Sequence, residues 1–195
     1  PLLKDIFKFT MADNALINTL LLANSIDLAL PLREALSDTS KVWVSTTTDG
    51  ALDVLSDSSI ELIISTTDFA SSGLSFFDQI MPDHPDPIRI LISEQDKMDN
   101  AIDAINKGRI YKYIFNPWTG EDIVTIAREA SELYHLRTDL DKKVSEFSEQ
   151  LIQAELNLEA LIEDIEASKA LDAQTKLDYI TRLKSTITLL GTPLD

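Results

Sequence analysis

From Glu121 to Leu190 the chain contains neither glycine nor proline, a run of about seventy residues. Proline breaks helices and glycine supplies the left-handed turns that end them, so the whole stretch is predicted to be helical. As one straight helix it would reach roughly 100 Å at 1.5 Å per residue. Within it Leu140, Val144, Phe147, Leu151, Ala154, Leu158, Leu161 and Ile165 recur in alternating steps of four and three. That is a coiled-coil a/d seam sustained for nearly four heptads. An isolated helix cannot bury such a seam, and a second copy of the chain is the simplest partner, so these eight residues form the expected dimerisation surface. The seam weakens at "SKALDAQTKLD" (168–178) and resumes as Ile180, Leu183, Ile187 and Leu190, while Ile152, Leu156 and Ile162 lie off it. The alternative is a helical hairpin turning near 168–176, which would give a four-helix bundle in the dimer. The continuous coiled coil is preferred because the usual turn residues are absent.

The first half has a different period. Strands are predicted at "LINTLLLA" (16–23), "KVWVS" (41–45), "IELIIS" (60–65), "IRILI" (88–92) and "YKYIF" (111–115). Helical patterns fill 26–38, 49–57, 72–81 and 97–108, the last closing at Gly108. Near-continuous apolar strands alternating with amphipathic helices indicate an α/β domain, a parallel sheet covered on both faces. The expected organisation is an N-terminal extension (1–15), the sheet domain (16–137), a coiled-coil dimerisation and signalling helix (138–190) and a tail (191–195). Residues 1–10 precede Met11 and are either native or a remnant of cloning.

Thirty-three acidic against 17 basic residues give a formal charge of −16, which repels phosphate backbones and anionic lipid. Nucleic acid and membrane are therefore not expected partners. With no cysteine, thiol nucleophiles, disulfides and thiolate metal sites are excluded. His84 and His135 are too distant in sequence to suggest a metal site, and no metal or cofactor is expected. "ALINTLLLA" is too short for a membrane span, and no signal-peptide pattern opens the chain, so a cytoplasmic protein is expected.

"AINKGRIYKYIFNPW" (104–118) resembles the end of a response-regulator receiver domain: a helix closed by Gly108, a strand carrying the aromatic Tyr113, then Asn116, Pro117 and the aromatic Trp118. "ELIIS" with Gly73-Leu74 downstream resembles the third strand and its loop, and "RILIS" resembles the fourth strand, with Ser93 at the hydroxyl position. The resemblance covers roughly 16–137. It implies a flavodoxin-like, doubly wound, five-stranded sheet of order 2-1-3-4-5. It also implies an Asn116–Pro117 peptide bond in the cis form.

Receivers move a phosphoryl group onto an aspartate beside Mg²⁺, which needs an acidic pair, an acceptor carboxylate and a lysine. Aligning the chain with that pattern puts Ala23 and Asn24 at the acidic pair, Thr66 at the acceptor and Asn116 at the lysine. Three chemical roles are lost together while Ser93 and Tyr113 remain, so the resemblance implies a degenerate receiver, or pseudo-receiver, and no enzyme. Asp68 fits the acceptor position less well, because Gly73 follows only five positions after it, and is read as a solvated loop carboxylate. "YHLRTDL" (134–140) resembles the histidine-kinase phosphoacceptor box superficially; it lacks the acidic neighbour and the proline, and His135 is read as a surface residue.

The expected function is a phosphorylation-independent signalling module that dimerises through its helix. It would bind a protein partner around the 97–108 helix, the fifth strand and the following helix, including Tyr113, Pro117 and Trp118. The alternatives are the regulatory N-terminal part of a cyclic-dinucleotide cyclase or phosphodiesterase, and a sensor of a small polar ligand held by Asn24, Thr66, Ser93 and Asn116.

Overall fold

The computed structural model describes residues 16–93, 105 and 110–190; the expected extension 1–15, nearly all of the expected helix 97–108 including Gly108, and the tail 191–195 lie outside the described residues. The chain divides into two compact units between Thr138 and Asp139.

In the first unit β1 (Ile17–Leu22), β2 (Ser40–Ser45), β3 (Leu62–Thr66), β4 (Ile88–Ser93) and β5 (Lys112–Phe115) form a parallel sheet of order β2-β1-β3-β4-β5. This is the expected doubly wound order, with strand ends within one or two residues of expectation. Between the strands lie α1 (Ile26–Leu36), α2 (Thr48–Asp57) and α3 (Gly73–Ile80), and α4 (Gly120–Ala167) follows β5.

Successive side chains of a strand point to opposite faces, so an all-apolar strand serves two cores at once. In β3, Leu62 and Ile64 join one core with Leu32 and Leu36 of α1 and Ile123, Ala127 and Ala130 of α4. Ile63 joins the other with Ala51 and Leu55 of α2 and Phe76, Phe77 and Ile80 of α3. Each fully buried Leu, Ile or Phe side chain stabilises by about 1.5–3 kcal/mol relative to exposure.

Helix starts are set by short polar side chains. Thr47 Oγ1 accepts from the Gly50 amide at 3.2 Å, and Ser72 Oγ accepts from the Ser75 amide at 3.4 Å. At α4, Asp122 Oδ2 accepts from both the amide and the hydroxyl of Thr119, at 2.9 and 2.6 Å, while the Asp122 amide donates back to Thr119 Oγ1 at 3.2 Å. This reciprocal capping holds the Asp122 carboxyl below its ordinary value, with the Thr119 hydroxyl as the main cause. The Asn116–Pro117 bond just before it is cis, as the resemblance implies.

The second unit departs from the preferred reading. The continuous helix expected to Leu190 ends at Ala167, and α5 (Ala173–Leu190) begins after a five-residue break that falls within the alternative turn at 168–176. Side chains replace the missing glycine. Asp172 Oδ1 accepts from the amides of Gln174 and Thr175, each at 3.0 Å, and its Oδ2 accepts from Thr175 Oγ1 at 2.6 Å, making Asp172 the N-cap of α5. Lys176 Nζ reaches back to the Glu166 carbonyl at 2.9 Å. Glu159, Ile162 and Glu163 line one groove with Lys184, Ile187 and Thr188, so the two helices fold back as a hairpin. The Asp172 carboxyl is lowered, chiefly by the Thr175 hydroxyl. The stability this cap adds is therefore present at neutral pH and fades as pH falls through the folded-state value.

Candidate functional site

The carboxyl ends of β1, β3, β4 and β5 bring together the residues aligned with a receiver's phosphorylation site. Ala23 is buried just past β1, its amide donating to the Ser45 carbonyl at 3.3 Å. Asn24 is exposed, and its Nδ2 donates to the Asp68 carbonyl at 2.8 Å, stapling the loop after β1 to the loop after β3. Thr66 closes β3 opposite Ile92, and its Oγ1 is buried with no hydrogen-bond partner among the described residues. Thr67 donates twice towards β4: its amide to the Ile92 carbonyl at 3.0 Å and its hydroxyl to Ser93 Oγ at 3.4 Å. The Asn116 amide donates to the Ser93 carbonyl at 2.9 Å.

These donors do not fit Mg²⁺, a hard cation that takes anionic and carbonyl oxygens. The aligned positions offer a methyl, an amide whose NH₂ already serves the backbone, and a buried hydroxyl. Asp27, in the first turn of α1, and Asp68 are exposed, and among the described residues no three His, Asp or Glu side chains gather as a metal site.

The loop after β3 is strained at one residue. Ala70 has φ 49° and ψ 41°, the left-handed region that costs an L-residue about 1–2 kcal/mol. Gly73 follows, and its amide donates to the Thr67 carbonyl at 3.2 Å. Ala70→Gly is expected to raise stability by up to about 1 kcal/mol, seen as a higher urea midpoint, because relief of the strain outweighs the added freedom of the unfolded chain. Ala70→Val, β-branched and worse in this region, is expected to lower it.

Tyr113 is half-buried against the α2–α3 core, with its ring 5.0 Å from that of Phe115. Trp118 packs on the other core, the one to which α1 and α4 contribute, while Pro117 is exposed. Of these three expected partner-binding residues, the tryptophan thus serves the interior. The eight seam residues lie in the second unit: Leu140, Val144, Phe147, Leu151 and Leu161 are exposed, and Ala154, Leu158 and Ile165 are half-buried.

At the opposite, amino-terminal end of the sheet lies a cluster that sequence reading did not find. Glu61 is only 9% exposed. Its Oε2 accepts from Ser131 Oγ at 2.8 Å and lies 3.2 Å from His135 Nε2; its Oε1 accepts from the Asn18 amide at 3.3 Å. A buried carboxylate so held needs these donors. His135, read as a surface histidine, is half-exposed yet tied to this carboxylate. Tyr134 beside it lines a cleft of about 330 Å³ with His84, Asp83 and Asp86. Burial first, then Asp86 and Glu61, push the Tyr134 phenol above its ordinary value. Burial first, then Arg137, lower the Arg89 guanidinium, which donates to the Pro85 carbonyl at 3.1 Å. A glutamate opening an otherwise apolar strand was the one visible hint of this cluster.

No protein-family model matches the chain. It is 34% identical over 70 residues to the hydrogenase transcriptional regulatory protein HoxA of Bradyrhizobium diazoefficiens, a match covering 36% of this chain and 14% of that protein. It superposes on a response regulator receiver domain protein from Clostridium thermocellum with a TM-score of 0.57 at 21% identity, covering 62% of this chain and 98% of that one. On a structure described as adenylate cyclase from Rhodopirellula baltica the TM-score is 0.63 at 17% identity, covering 67% and 98%. The first unit therefore has the response-regulator receiver fold. No described helix is long and apolar enough to cross a membrane.

Proposed function

We propose that this chain is a signalling module built on a receiver fold that works without phosphoryl transfer. In this reading it is not an enzyme; it binds a protein partner through the surface around Tyr113 and β5, and it pairs with a second copy through the apolar seam of α4. The observation that carries the reading is the staple between Asn24 and Asp68: where a receiver needs anionic oxygens for a metal, this chain places a side-chain amide that donates to backbone. Nor does the aligned acceptor position offer a carboxylate, since Thr66 has a buried hydroxyl there. An unassisted threonine is a poor nucleophile.

The test is a titration of Mg²⁺ with beryllofluoride, followed by tryptophan fluorescence and the Thr66 amide resonance. No saturable response is expected, because an acyl-phosphate mimic requires both metal carboxylates and an acceptor aspartate. Saturation at micromolar to low-millimolar Mg²⁺ would overturn the reading and point to Asp27 or Asp68 as a rebuilt site.

A second reading, the regulatory part of a multidomain protein such as a cyclic-dinucleotide enzyme, is favoured by the small share of HoxA that the chain matches. A genomic reading frame that continues into a catalytic domain would support it. A third reading, a polar-ligand sensor held by Asn24, Thr66, Ser93 and Asn116, has less support, because Asn24 Nδ2 and Ser93 Oγ already serve the Asp68 carbonyl and the Thr67 hydroxyl.

A further inference from the structure

We propose that the apolar seam of α4 has two competing occupants, the chain's own α5 in cis and the α4 helix of a second copy in trans, so that folding back of α5 limits dimerisation. This inference rests on the dimer reading above and adds its regulation.

The seam keeps one face of the helix from Leu140 to Ile165. In its first two heptads Leu140, Val144, Leu151 and above all Phe147, at 67% exposure, are uncovered among the described residues. Along its last two heptads α5 packs on the flank of the seam, sharing a groove lined by Glu159, Ile162 and Glu163, with Ile162 at 8% exposure. On the seam itself Ala154, Leu158 and Ile165 are half-buried there while Leu161 stays 50% exposed, so α5 covers one edge of it. The sequence pattern makes no distinction between the halves; only the position of α5 does. A two-heptad coiled coil is too short to hold two chains firmly, whereas nearly four heptads suffice. Whether α5 is folded back therefore decides how much seam a second copy can use.

The cis cover is weak. No residue of α5 is buried, whereas the sheet's core residues are almost wholly excluded from solvent. The hinge "SKALD" (168–172) has no glycine or proline, so nothing in its backbone forbids a continuous helix. What holds it bent is the Asp172 cap and the Lys176 contact with Glu166. The trans occupant is the same helix because the seam is self-complementary. In a parallel, in-register pair Lys143 flanks Ser148 of the other copy and Gln150 flanks Glu155, so no like charges meet. An antiparallel pair centred on Ser148 would set Asp141 against Glu155.

The natural chain has no cysteine, so a lock can be introduced without ambiguity. Glu163→Cys with Lys184→Cys joins two residues that line one groove. Sedimentation equilibrium of the full chain, oxidised and then reduced, is expected to show dimerisation at least roughly tenfold weaker in the locked form. Asp172→Ala, which removes the cap and favours a straight helix, is expected to shift association in the opposite direction; a merely structural loss would weaken it. Equal dimerisation with and without the lock would overturn the competition while leaving the dimer standing. A monomer in the reduced, Asp172→Ala and unmodified chains alike would overturn the dimer reading and this inference together.

Discussion

Gly73→Ala is expected to lower the stability of the first unit by about 2 kcal/mol, seen as a reduced urea midpoint with an unchanged slope. A methyl placed on Gly73 would lie 2.6 Å from the Thr66 carbonyl oxygen, 2.7 Å from Ser65 Oγ and 2.8 Å from Leu91 Cδ1. The first of these is backbone of a central strand paired on both sides, so it cannot yield by a rotamer change. α3 must move outward instead, pulling Phe76 and Phe77 from the core they fill. Gly120→Ala is the matching control. There the methyl would meet Ala35 Cβ at 3.6 Å, an ordinary contact in the first turn of α4, and stability is expected to hold or rise by less than about 1 kcal/mol.

Glu61→Ala is expected to cost about 2 kcal/mol and to loosen α4 where it leaves the sheet domain. The backbone of Glu61 is already committed, its amide to Asn18 at 2.9 Å and its carbonyl to the Ile88 amide at 2.8 Å, so the loss belongs to the side chain. Truncation strands the Ser131 hydroxyl and His135 together. A double-mutant cycle with Ser131→Ala should return a coupling of about 1 kcal/mol, and hydrogen exchange should quicken first around residues 131–138. Glu61→Gln keeps the shape and an acceptor for Ser131 but loses the charge facing His135, so it should fall between the two. If Glu61→Ala exchanged no faster in α4 than the natural chain, the carboxylate would not be what fastens the helix.

The strands were readable because each is a nearly unbroken apolar run, and a sheet buried on both faces demands that composition. Leu62, Ile63 and Ile64 show why: adjacent residues supply opposite cores. The residues at the carboxyl ends of the strands were named from the family resemblance alone; the bonds among them were not legible, since Asn24 finds Asp68 across 44 positions and a backbone acceptor leaves no mark in sequence. Glu61 and Ser131, 70 positions apart, are a harder case of the same kind. The bend at 168–172 escaped for a different reason. Turn reading looks for glycine and proline, whereas Asp172 stops and restarts a helix with its side chain, among residues that would equally suit a helix interior. Step-counting likewise finds an apolar stripe without telling whether its cover is the same chain or another.

The buried hydroxyl of Thr66, without a partner among the described residues, bears on the history open to such a chain. Thr66→Asp, the single change nearest to a phosphoacceptor, would set a carboxylate where the present oxygen has no partner among the described residues, and the residues aligned with the metal site would supply no cation to offset it. Ala23 and Asn24 replaced by acids would add charge around an acceptor that does not yet exist. Each step toward phosphotransfer would lower stability before any activity appeared. Under the proposed reading, loss of the chemistry is a valley crossed in one direction, and selection acting one substitution at a time would refine the binding surfaces instead.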